Sequence, residues 1–111
     1  MKPSPTLPEV IRLLDVRGAR PENAAGIGEF WYEPEVWSLP LSPDARVLYA
    51  GLCSFLGHRE INRKDLRNTL KGRQDMEIAR ALEELVGHDL LVPDVAGTGL
   101  EYEVHPVDAF A

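Results

Sequence analysis

The chain has 111 residues, which is enough for one domain and too few for two domains with independent cores. Its composition, 44% hydrophobic and 27% charged, is typical of a globular protein, and no apolar run approaches the roughly 20 residues of a membrane-spanning helix. The net charge of −6 argues against a polyanionic partner unless positive charge is concentrated in one place.

The residues present exclude several classes of protein. The first ten residues, MKPSPTLPEV, lack the pattern of a secretory signal, and Cys53 has no second cysteine for a disulfide. The three histidines are not spaced so as to form a metal site with Cys53. No pattern indicates a catalytic triad, a phosphate-cradling glycine loop or a forced carboxylate pair. We therefore expect a cytoplasmic protein with no metal, no cofactor, no enzymatic activity and no membrane contact.

The positive charge is concentrated between residues 59 and 80. This segment holds seven basic and four acidic residues, a net charge of +3, whereas the other 89 residues carry −9. An acidic protein with one basic segment is a candidate for a localised anion-binding face.

The first 40 residues carry weak signals. Residues 1–8 contain three prolines and are expected to form a loose arm, and EVIRLLDVR, residues 9–17, predicts two turns of helix. Residues 18–28 are typical of a linker, and Phe30–Tyr32 predicts a short strand. We expect an N-terminal arm over 1–28, a folded domain over 29–106 and a C-terminal tail over 107–111.

Three helices are better specified. Ser42-Pro43-Asp44 is typical of a helix start, and apolar residues follow it at helical spacing: Ala45, Leu48, Leu52, Phe55 and Leu56. Asn62 is a cap candidate for a short second helix, which Gly72 ends in a left-handed turn. Asp75 is a cap candidate for a third helix that ends near residue 87, with one apolar face formed by Ile78, Leu82, Leu85 and Val86.

A hairpin is predicted after the third helix. Two apolar-rich runs, residues 90–95 and 100–105, are separated by four residues of which two are glycine. Pro93 lacks a backbone donor, so the first strand should lie at an edge or end early. The predicted fold is mainly α with a small β-hairpin: a three-helix core with a two-stranded wing, and a third short strand as an option.

Two stretches resemble a known family. LSPDARVLYAGLCSF, residues 41–55, follows the aromatic lead-in FWYEPEVWSLP, and LKGRQDMEIARALEELVGHDLLV spans residues 70–92. Over residues 29–106 the chain resembles the winged helix-turn-helix domains of bacterial and phage replication-initiation proteins, including DnaD-like ones. The resemblance implies a DNA-binding domain with a recognition helix and a wing. Glu77 departs from the family's frequent Ser or Thr, and Asp89 departs from its usual glycine.

The candidate DNA contacts lie on the second helix, the turn and the third helix. We predict phosphate contacts from four basic residues: Arg63, Lys64, Arg67 and Lys71. Like charges that are aligned on a helix repel each other mildly, and phosphate binding would explain why they are aligned. A solvated face with Asp65 and Asp75 as partners is the alternative explanation.

The remaining candidates surround the start of the third helix. Arg73 and Gln74 lie where a helix N-terminus can meet a phosphate, although both also fit a ligand-free turn. Arg80 is the candidate for a base edge, which Gln74 would also approach, because a guanidinium can bind guanine in two places. A surface pair with Glu77 or Glu84 is the alternative role for Arg80.

Two functions follow. The first is double-stranded DNA binding in replication initiation or transcriptional regulation. The second is a protein-interaction adaptor, whose acidic faces bind a basic protein partner and whose N-terminal aromatic segment forms a homodimer. The charge of −9 outside the basic segment, Glu77, Glu84 and an uncharged wing tip favour the adaptor.

Overall fold

The computed structural model describes residues 7, 9–27, 30–56, 60–93 and 101–107. Predictions about most of the proline-rich arm, the wing tip and the tail lie outside these residues. Within them the chain forms three α-helices, namely α1 (Pro43–Ser54), α2 (Arg63–Thr69) and α3 (Asp75–Gly87), and a 3-10 helix over Pro34–Ser38. It also forms six strands, namely β1 (Val10–Asp15), β2 (Ala25–Ile27), β3 (Phe30–Tyr32), β4 (Glu60–Asn62), β5 (Leu91–Pro93) and β6 (Glu101–Val104).

Four of the strands form one mixed sheet in the order β4-β1-β6-β5. β1 is antiparallel to β4 and parallel to β6, and β5 and β6 form the predicted antiparallel hairpin. β2 and β3 pair separately as a two-stranded ribbon. The fold is therefore a small α/β arrangement, and the prediction of a mainly α fold with one small hairpin is wrong. The prediction for Pro93 is confirmed, because β5 is an edge strand and ends at that residue.

The predicted helix over residues 9–17 is wrong, and the reason is its burial pattern. Ile11 and Leu13 are buried, whereas Arg12 and Leu14 are exposed, which is the two-residue period of a strand. β1 hydrogen-bonds on both sides to strands far along the chain, and that pairing overrides the local helical pattern. Residues 10–15 therefore belong to the folded unit and are not part of an arm. Leu7 is buried as well.

The predicted helix starts are confirmed for α1 and α2. The Ser42 hydroxyl accepts a hydrogen bond from the Ala45 N–H at 3.2 Å. The Asn62 side chain accepts from the Asp65 N–H at 2.9 Å, and the Asp65 carboxylate accepts from the Asn62 N–H at 3.0 Å. In α3 the cap prediction is off by one position: Gln74 is the N-cap, and Asp75 is the first helical residue.

A Schellman motif ends α3. The Asp89 N–H donates to the Val86 carbonyl and the Leu90 N–H donates to the Leu85 carbonyl, both at 3.0 Å. Asp89 adopts a φ of +59°, the left-handed conformation that this position requires. Leu85 and Leu90 are fully buried and complete the motif. The turn directs the chain from α3 into β5.

Helices α1 and α2 approach closely at one glycine. A Cβ atom on Gly51 would lie 2.3 Å from the Thr69 methyl group. Thr69 cannot easily rotate away, because its hydroxyl donates to the Asp65 carbonyl at 2.9 Å and its branched side chain is stiff. The absence of a side chain at residue 51 therefore sets the distance between the two helices.

We expect Gly51→Ala to lower the free energy of unfolding by about 1–2 kcal/mol, because overpacking outweighs the gain in helix propensity. Adding Thr69→Ser removes the methyl group and keeps the hydroxyl, so the double variant should recover that loss. Gly87→Ala, in α3 with open space around it, is the matched control and should stabilise by up to about 1 kcal/mol. Urea denaturation measures all three. Equal effects at residues 51 and 87 would contradict the close approach.

Asp89→Gly should raise the free energy of unfolding by up to about 1 kcal/mol, because glycine enters the left-handed region without steric strain. Thermal denaturation followed by circular dichroism measures the shift. A loss of stability would show that the Asp89 side chain contributes more than its backbone conformation costs.

Candidate functional site

Helices α2 and α3 are joined by a tight turn, and Gly72 within it has a φ of +84°, as predicted for a left-handed glycine. The seven candidate residues lie on α2, on this turn and on α3. Residues 63–73 hold five basic residues and one acidic residue, Asp65, which is engaged in the cap of α2. The positive charge of the molecule is therefore concentrated at this turn.

Arg67 is paired with a carboxylate of the next helix. Its Nε and Nη2 donate to the two oxygens of Asp75 at 2.8 and 2.6 Å, and both side chains are about half exposed. The Arg67 guanidinium holds the pKa of Asp75 below its usual range, so the pair persists at neutral pH and is lost as the pH falls through that lowered pKa. The pair links α2 to the first residue of α3. It matches the alternative explanation given above for Arg67.

Arg73 is paired with a carboxylate of α1. Its Nε donates to the two oxygens of Asp44 at 2.9 and 3.1 Å. In the described residues only the Nε of Arg73 takes part in a hydrogen bond. This second exposed pair links the turn to the start of α1. Both pairs lie at the helix–turn–helix: one includes Asp75, the first residue of α3, and the other includes Arg73, two residues before it.

Arg63 is anchored to the N-terminal segment. Its Nη2 donates to the Leu7 carbonyl at 3.0 Å, and its backbone N–H donates to the Glu9 carbonyl at 2.8 Å. Its Nε is buried and has no hydrogen-bond partner among the described residues. Arg63 therefore differs from the freely exposed phosphate ligand that the sequence predicted, because it fixes the start of α2 against the chain before β1.

Lys64 and Lys71 are the two exposed lysines of this region. Within the described residues, neither ammonium group has a carboxylate at ion-pair distance. Along the chain, Lys64 precedes Arg67, and Lys71 lies between Arg67 and Asp75. These two side chains are the available cations of α2 and its turn.

The outer face of α3 is acidic around a single cation. Arg80 is exposed and lines a cleft of about 280 Å³ with Ser42, Asp44, Glu77, Ala81 and Glu84. The Glu84 carboxylate accepts from the Ser42 N–H at 2.7 Å, and Glu77 accepts from the Gln74 N–H at 3.1 Å. Glu83, which precedes Glu84 on α3, is exposed. The N–H of Gln74 is therefore occupied by a carboxylate, and Arg80 shares its cleft with two glutamates.

A buried arginine outside the candidate set was missed by the sequence analysis. The Arg17 guanidinium lies 3.7 Å above the centre of the Trp31 ring and is fully enclosed. It donates to the Trp31 carbonyl and to both oxygens of the Asp15 carboxylate. Arg17 lies in the segment predicted as a helix end and linker, where no periodic pattern marks a buried cation. It joins the end of β1 to the β2–β3 ribbon.

The two tryptophans differ in exposure. Trp31 is buried, whereas Trp37 is 43% exposed and meets Tyr32 edge to face. Cys53 is buried, and desolvation raises the pKa of its thiol to about 12. The thiol is therefore protonated at neutral pH and is a packing group. The homodimer through the N-terminal segment stays a prediction.

No family model matches this chain, and neither does any curated protein or solved structure with which it was compared. In the part of the chain that the structure describes, no group of three or more His, Cys, Asp or Glu side chains is placed to hold a metal ion. No helix among residues 7, 9–27, 30–56, 60–93 and 101–107 is both long and apolar enough to cross a membrane.

Proposed function

We propose that this protein is a winged-helix-like domain that binds double-stranded DNA through phosphate contacts from α2 and the following turn. The element order supports the fold assignment, since α1, β4, α2, α3 and the β5–β6 hairpin follow one another as in the resembling family. The departure is β1, which lies between β4 and the hairpin in the sheet. DNA replication initiation or transcriptional regulation would be the process served.

The observation that carries the proposal is the pair of exposed lysines, Lys64 and Lys71, on the segment that holds seven of the twelve basic residues of the chain. Neutralising phosphates with such side chains releases counterions and supplies sequence-independent affinity. Arg67 and Arg73, also exposed, stand beside them. Phosphate contacts of this kind do not require a recognition helix in a groove.

Base reading by α3 is not part of the proposal. Glu77 and Glu84 line the cleft beside Arg80, and carboxylates in a major groove would be repelled by phosphates and could accept only from the cytosine N4 and adenine N6 amino groups. The domain should therefore bind mixed DNA sequences with similar affinity.

The test is fluorescence anisotropy of a labelled mixed-sequence duplex at about 50 and about 200 mM salt. Replacing Lys64 and Lys71 by alanine should weaken binding to every sequence and reduce the salt slope by about 1 for each lost contact. The matched control is Arg12→Ala with Arg20→Ala, which removes two cations from β1 and the loop after it. Absence of salt-sensitive binding by the unaltered chain would overturn the proposal. An equal loss in the control would remove the lysines from the interface.

The acidic outer face of α3 favours a second candidate, the adaptor that binds a basic protein partner. Glu77 and Glu84, in the cleft beside Arg80, suit lysine or arginine side chains better than phosphates. The same titration with a labelled arginine-rich peptide distinguishes the two functions. Salt-sensitive peptide binding without duplex binding would favour the adaptor.

A further inference from the structure

The two arginines nearest the α3 N-terminus both form ion pairs within the molecule. Arg67 donates two hydrogen bonds to Asp75, and the Nε of Arg73 donates to both oxygens of Asp44. The acids come from two different helices, and each is the partner of one arginine. The turn that would meet DNA therefore presents two neutral pairs where the sequence alone counts two positive charges.

Exposed ion pairs of this kind contribute little to stability, because water and salt screen them and two long side chains must be held in place. Their effect on a polyanion is larger. A cation already paired with a carboxylate gives up an attraction for each phosphate it gains, and the carboxylate itself repels the phosphates. We therefore expect the pairs to affect DNA binding more than they stabilise the fold.

We infer that Asp44 and Asp75 act as an internal restraint on DNA affinity, holding Arg73 and Arg67 in pairs that DNA must open. The inference rests on the proposed DNA binding and adds the residues that limit it. Lys64 and Lys71 make the first contacts, because they are exposed and unpaired within the described residues. Arg67 and Arg73 contribute their full positive charge only when their carboxylates are displaced.

The decisive variants are Asp44→Asn and Asp75→Asn, which keep the side-chain shape and remove the negative charge. Each should tighten binding of the full chain to mixed duplex DNA by up to about tenfold near 0.1 M salt, and each should steepen the salt slope by about 1. The matched control is Glu83→Gln, an equal change in net charge on an exposed α3 residue that pairs with no arginine in the described structure.

A second measurement guards against misfolding, since both aspartates lie in the first turn of a helix where a carboxylate is favourable. Thermal denaturation establishes that each variant is folded. In the unaltered chain, the Nε–H resonances of Arg67 and Arg73 should shift when duplex DNA is added, as their pairs open.

The outcomes separate the two proposals. Duplex binding by the unaltered chain, together with a gain in the aspartate variants no larger than that of Glu83→Gln, would overturn the restraint and leave DNA binding intact. Unmoved Nε–H resonances on saturation with DNA would do the same. Absence of duplex binding by the unaltered chain and by every variant would overturn both.

Discussion

The arrangement of the domain depends on β1 at the centre of the four-stranded sheet. One side of this strand hydrogen-bonds to β4 and the other to β6, so its removal would leave two sheet edges without partners. Its inward side chains, Ile11 and Leu13, are almost fully buried in the core beneath. β4 in turn ends at Asn62, the N-cap of α2. The position of the proposed interface is therefore fixed through β1, although none of the candidate DNA-binding residues lies on that strand.

Local chemistry predicted the helices well and β1 poorly. Ser42 and Asn62 cap their helices through contacts within three residues, and such signals are complete in the sequence. The segment around β1 has apolar residues at 10, 11, 13 and 14, a pattern that fits two turns of helix as well as a half-buried strand. Its true partners are β4 and β6, about 50 and about 90 residues away, and no short window contains that information. Phe30–Tyr32, rich in aromatic residues, was predicted correctly as a strand because its composition alone favours one.

The candidate site divides in the same way. Its residues were named from charge spacing on α2, but their engagement depends on tertiary structure. Arg67 and Asp75 are separated by eight residues and meet across a turn, which a sequence can suggest. Arg73 and Asp44 are 29 residues apart and meet only because α1 packs beside the turn. A count of charges in a segment therefore overstates the positive charge that a ligand would encounter, since it ignores acids contributed by other elements.

The parallel pairing of β1 with β6 has a consequence for the order in which the molecule is assembled. Arg12 lies opposite Glu101, so an early-synthesised strand must wait for one made almost 90 residues later before the sheet can close. Until then the edge of β1 that faces β6 has no partner strand. Helices α1, α2 and α3 precede β6 in the chain and can form before it from contacts near in sequence. Closure of the sheet therefore follows synthesis of β6, and a strand edge that is unpaired before closure favours aggregation.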